Sequence, residues 1–109
     1  MKINDKEYKL SYTGTTLLLY KEEFNKDMIL EADRLRKDFD FVSLCEFIWA
    51  MAKTNDESIG TFKEFMASIK NPTEVITPKL MEELISTLYR DGEGKKEIKK
   101  KIIPNLTNR

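Results

Sequence analysis

The side chains able to do covalent or acid–base work are few, and their surroundings argue against that work. The chain has no histidine and one cysteine, which removes the commonest general base and the commonest metal ligand at once. Cys45 lies among Phe41, Leu44 and Ile48. A nucleophilic thiol needs an electropositive, accessible setting and a base, so Cys45 reads as a small core residue. Carboxylates come together at Glu22-Glu23, Asp38/Asp40, Asp56-Glu57 and Glu82-Glu83. Each pair falls in a loop or on a polar helix face, and adjacent residues on a helix point apart. There is no Asp-x-Asp-x-Asp-Gly calcium loop, and Gly14 and Gly60 do not form a phosphate-binding loop. The expectation is a protein with no catalytic, cofactor-binding or metal site.

Cys45 belongs to the stretch that organises the rest. Wound as a helix, 40–53 puts Ser43, Glu46, Ala50 and Lys53 on one narrow stripe and apolar residues around nearly all the remaining circumference. Such a helix must be covered on most sides. Asp40 is placed to cap it by accepting an orphan backbone N–H. Trp49, with apolar neighbours on both sides, belongs to the core or to an oligomer interface.

The other elements supply that cover. Lys2-Ile3 and the alternating Tyr8, Leu10 and Tyr12 predict a hairpin across Asn4-Asp5-Lys6. A two-stranded ribbon is marginal alone, so it must lie on helices. A helix over roughly 16–24 follows, with Leu17, Tyr20 and Phe24 on one face and a threonine as cap. A second runs over about 28–37 with Met28, Ala32 and Leu35 inward, Glu31 and Arg34 being spaced for a surface pair. Thr61-Phe62-Lys63-Glu64 matches a capping box for a short amphipathic helix that Asn71-Pro72 stops. Glu74-Val75-Ile76 reads as a connector. Thr77-Pro78 opens the last helix, which Asp91-Gly92 ends. The fold class is therefore α+β and mainly α-helical: an N-terminal hairpin, then about five short helices around the central one.

Length fits a single globular domain over 1–91. Residues 92–109 carry six basic and two acidic residues, net +4, and the whole chain sums to zero. Two glycines and crowded lysines make that stretch a flexible basic tail on an acidic body. This is not the footprint of a nucleic-acid-binding domain, which concentrates positive charge on the folded face. No apolar run approaches the ~20 residues a membrane span needs, and the N-terminus lacks the apolar stretch of a signal peptide. A lone cysteine agrees with a reducing cytoplasm. About ninety residues strain to bury every apolar side chain of the later helices. Phe62, Phe65, Met66, Ile69, Leu80, Leu84 and Leu88 are therefore the candidate partner or oligomer interface.

The order of parts resembles the tail assembly chaperones of long-tailed bacteriophages and prophages. The resemblance is carried by Lys2-Ile3-Asn4-Asp5-Lys6-Glu7-Tyr8-Lys9-Leu10, by Leu17-Leu18-Leu19-Tyr20-Lys21-Glu22-Glu23-Phe24 after a Thr/Gly break, and most closely by 40–53, where an acidic cap, an apolar helix and Trp49-Ala50 coincide. It covers about residues 1–90. It implies a non-catalytic helper in the host cytoplasm that holds the tape-measure protein, assists polymerisation of the tail-tube protein and is absent from the finished virion. It also implies a homo-oligomer without cofactors, and a longer form made by ribosomal frameshifting near the lysine runs Lys95-Lys96 and Lys99-Lys100-Lys101. Two other readings compete with it. One is a small helical regulator, a transcription factor or antitoxin-like module, whose best recognition run would be Arg34-Leu35-Arg36-Lys37; the other is a structural tail-completion subunit.

Overall fold

Asn4 and Asp5 both take left-handed backbone angles, φ 49° and 68°. This is the geometry that joins two strands through a two-residue turn, and Asn and Asp tolerate it best after glycine. A computed structural model gives the architecture of residues 1–89, the part of the chain that the structure describes. In it β1 (Lys2–Ile3) and β2 (Lys6–Glu7) pair antiparallel across that turn, Lys2 opposite Glu7 and Ile3 opposite Lys6. The second strand is shorter than the alternation of Tyr8, Leu10 and Tyr12 predicts, because among the described residues no further strand pairs with it. Those residues are instead strapped to the end of the central helix. The Ser11 amide donates to the Met51 carbonyl (3.2 Å) and the Asn55 side-chain amide to the Lys9 carbonyl (2.8 Å).

Six helices follow: α1 (Gly14–Phe24), α2 (Met28–Lys37), α3 (Phe41–Asn55), α4 (Phe62–Ala67), α5 (Pro72–Val75) and α6 (Pro78–Leu88). Side chains set their starts. Thr13 caps α1 with Thr16 bonding back, Asp27 caps α2, Asp40 caps α3, Thr61 and Glu64 form the expected capping box on α4, and Thr77 caps α6. The sixth helix is α5, a single turn opened by Pro72 where the sequence suggests only a connector. Helix α6 ends at Leu88 rather than at Asp91-Gly92, since Tyr89 leaves helical geometry. The proposed boundary at 91/92 and the basic tail lie outside the described residues. Among those described, no helix is long and apolar enough to cross a membrane.

Helix α3 is the axis of the molecule. Ten of its fifteen residues are buried, so the apolar circumference is covered as expected from Ser43 to Ala52, while Phe41 is half-buried and Val42 exposed. The cover extends over the polar stripe too: Ser43, Glu46 and Ala50 are buried beside the apolar residues. Trp49 is core, 2 % exposed, its indole N–H donating to the Gly60 carbonyl (3.0 Å). Phe24 of α1 and Phe62 of α4 meet its ring edge-on at 5.5 and 6.4 Å. Such contacts add specificity to a large buried area.

Candidate interaction surface

Cys45 and one member of each carboxylate pair are held in structural roles. Cys45 is 1 % exposed, and burial, with the Glu46 charge adding to it, pushes its thiol up to about 12. At neutral pH it is a protonated, sheltered side chain. Of the paired carboxylates, Glu23 accepts from the Phe62 amide (3.0 Å), Asp40 caps α3, Asp56 accepts from the Ser58 amide and hydroxyl, and Glu83 lies 2.9 Å from the Met1 ammonium. Among the described residues no group of three or more His, Cys, Asp or Glu side chains could hold a metal ion. An open groove of about 800 Å³ runs between Glu7–Leu10 and α6, lined by charges of both signs, among them Lys9, Lys79 and Glu82.

The groups that do converge form a polar seam where α1, α2 and α3 meet. At its inner end the Glu46 carboxylate accepts the Tyr20 hydroxyl (3.1 Å) and the Lys26 ammonium (3.0 Å) through one oxygen. Lys26 also lies 3.7 Å from Glu31. Glu31 in turn takes the Arg34 Nε (3.0 Å), and Arg34 Nη2 reaches Asp40 (3.1 Å) and the Ser43 hydroxyl (2.6 Å) at the start of α3. Burial pushes the Tyr20 hydroxyl well above its ordinary value, and the Glu46 charge adds to the shift. Burial alone would raise the Asp40 carboxyl, but the Ser43 amide and hydroxyl and Arg34 together hold it below the usual carboxylate range. Sequence spacing found the Glu31–Arg34 pair, which is only partly exposed. It missed Tyr20, Lys26 and Glu46, although a glutamate inside an apolar helix has to find a partner.

The basic run is paired partly by the seam and partly by Asp33. Arg34 is held by Glu31 and Asp40, while Arg36 and Lys37 both pair with Asp33. A cationic face for nucleic acid is therefore matched by carboxylates at every step.

The seven apolar residues expected at an interface are placed mostly indoors. Phe65, Ile69, Leu80 and Leu84 are buried, 8 % exposed or less, and Phe62, Met66 and Leu88 are half-buried against the same core. Within the single chain that set therefore packs on the core, ninety residues burying more than their size suggested. Tyr8, for example, closes over Phe65 with ring centroids 5.7 Å apart. Among the described residues the large apolar side chains left in water are Leu18 (64 %), Ile29 (58 %), Leu30 (70 %), Val42 (51 %) and Phe39 (37 %). All five fall between residues 18 and 42, on α1, on α2 and at the corner into α3. The signal for them was present in Leu17-Leu18-Leu19 and in Met28-Ile29-Leu30, since three consecutive helical residues cannot share one face. No family model, curated protein or solved structure matched the chain.

Proposed function

We propose that this protein is a non-catalytic tail assembly chaperone of a long-tailed phage or prophage. It binds apolar helical segments of the tape-measure protein in the host cytoplasm and releases them as tail-tube subunits assemble. One observation carries the reading: the exposed large apolar side chains are gathered on one stretch, Leu18 to Val42, while the remaining large apolar residues described are at least partly covered. Scattered exposed apolar residues are ordinary, but a concentration on consecutive elements suits contact with another chain. The partner is named from the resemblance of residues 1–90 to tail assembly chaperones, and the sheltered Cys45 agrees with a role without covalent chemistry. The competing regulator reading needs an unpaired cationic helix face, and Arg34, Arg36 and Lys37 do not provide one.

Co-expression with the tape-measure and tail-tube proteins of the same genome tests the proposal. The tagged chaperone should keep the tape-measure protein soluble and co-purify with it, and should be missing from purified particles by mass spectrometry. A protein found in particles at stoichiometric amounts is a structural subunit instead. Duplex DNA binding by the folded body at low salt would establish the regulator.

A further inference from the structure

Helix α2 covers one side of the apolar core formed by α3 and α6. Its Ala32 and Leu35 close on Leu44 and Phe47 of α3 and on Met81, Leu84 and Leu88 of α6, around an apolar void of about 20 Å³. Of its ten residues only Met28 and Leu35 are buried. Much of what holds it is electrostatic: Lys26 on Glu46 just before its first turn, and Arg34 on Asp40 and Ser43 at its last. The Lys26 and Arg34 side chains are each 38 % exposed, so water and salt reach both fastenings. Ile29 and Leu30 face solvent even in this arrangement, so lifting the helix costs no burial there.

We propose that α2 is a displaceable cover, and that the apolar trough beneath it is the docking surface for an amphipathic partner helix carrying a cationic residue. The inference rests on reading the protein as a binder of helical segments, and α2 itself sets the chemistry of the occupant. It presents apolar side chains at i, i+4 and i+7 (Met28, Ala32, Leu35), with Arg34 beside the last of them reaching the acceptors at the start of α3. A partner helix with that stripe and a lysine or arginine at the same end reproduces both halves of the contact. Leu84 and Leu88, covered in the closed molecule, become partner surface once α2 has lifted.

Two measurements on the full chain decide it. The first is hydrogen exchange of Met28–Lys37 against Phe41–Asn55 at 0.1 M and 1 M NaCl, between which the screening length falls from about 10 to 3 Å. The α2 amides should exchange at least about tenfold faster than those of α3 and accelerate several-fold with salt, the α3 amides staying level. Equal protection, or no salt response in α2, overturns the cover. The second uses a synthetic peptide copying residues 26–38, titrated into the wild-type chain and into Arg34→Met, whose own α2 lacks the cation while Asp40 and Ser43 remain. The peptide should bind the variant about tenfold or more tightly than wild type, shifting NMR signals of Leu44, Met81 and Leu84. A peptide carrying Arg34→Glu should not. Equal binding to both chains, or none to either, overturns the docking surface. Self-association of Arg34→Met in light scattering would assign the trough to a second copy and overturn the partner-helix form. Neither measurement involves the tape-measure protein, so this inference and the chaperone reading fail separately.

Discussion

Helices α2 and α3 are joined by three residues and held in place by opposite means. Helix α3 buries ten residues, among them Leu44, Phe47, Ile48, Trp49 and Met51, while α2 buries two. At about 1.5–3 kcal/mol for each large apolar side chain taken out of water, the apolar hold on α3 is severalfold that on α2. What α2 lacks in burial it makes up with Lys26, Glu31 and Arg34, partly exposed charges of the kind that contribute little each and weaken with salt. The lesson concerns where a small domain keeps its adaptable surface. The rigid element is the one wrapped in apolar neighbours, and the neighbour held by ion pairs is the one that can move or be replaced.

The largest expected effect tests the α3 side of this contrast. Phe47→Ala removes a side chain that is 1 % exposed and stacked edge-on against Tyr20 at 5.5 Å. It should cost about 3–5 kcal/mol in urea denaturation. A loss below about 1 kcal/mol would mean that α3 is held no better than α2. On the α2 side, Arg34→Met removes the contacts to Glu31, Asp40 and Ser43 while keeping a long apolar stem. It should destabilise the fold clearly less than Phe47→Ala does, since water and salt weaken charge-assisted bonds at an exposed site. Its stability should respond less to salt than that of wild type. An unchanged salt dependence would show that the seam is not what fastens α2.

Much of this fold was legible in the sequence because it rests on local rules. Asp40, Thr61-Glu64 and Thr77-Pro78 announce helix starts through backbone donors that need partners, and each start is where those residues put it. The Asn4-Asp5 turn is legible for the same reason. The length of the second strand was not, because pairing needs a neighbouring strand that no local pattern reveals. The covering of the interface candidates was not legible for a related reason. Helical periodicity at Leu80, Leu84 and Leu88 says that a face is apolar, but not whether α2 lies across it. The seam was illegible because its members come from α1, the α1–α2 turn, α2 and α3, separated by up to 26 positions between Tyr20 and Glu46.

The pH dependence of the seam sharpens the comparison without disturbing the apolar core. Asp40 has its carboxyl held below the usual range in the folded state. A depressed folded value contributes stability that is present above the unfolded value of about 3.9 and is lost as pH falls through the folded one. Asp40→Asn separates the charge from the cap, because asparagine caps a helix about as well as aspartate. The variant should be less stable than wild type at pH 7, and the gap should close as the pH is lowered below about 4. The same gap at pH 7 and pH 2.5, by thermal unfolding, would mean that Asp40 acts through its cap alone and that Arg34 gains nothing from it.

The smallest expected change in stability is also the one that best separates fold from function. Leu30 is 70 % exposed near the start of α2 and contributes nothing to the core beneath. Leu30→Ser should leave stability within about 0.5 kcal/mol of wild type, as surface substitutions away from caps and networks do. Its amide still donates to Asp27 as part of the cap, since that bond uses the backbone alone. On the chaperone reading proposed above, capture of the tape-measure protein should nevertheless fall several-fold, because burying an exposed leucine against a partner is worth about 1.5–3 kcal/mol. Capture that survives Leu30→Ser together with Leu18→Ser would move the binding surface off the outer faces of α1 and α2. In that case the corner at Phe39 and Val42 and the proposed trough under α2 are the surfaces left to separate by the same capture measurement.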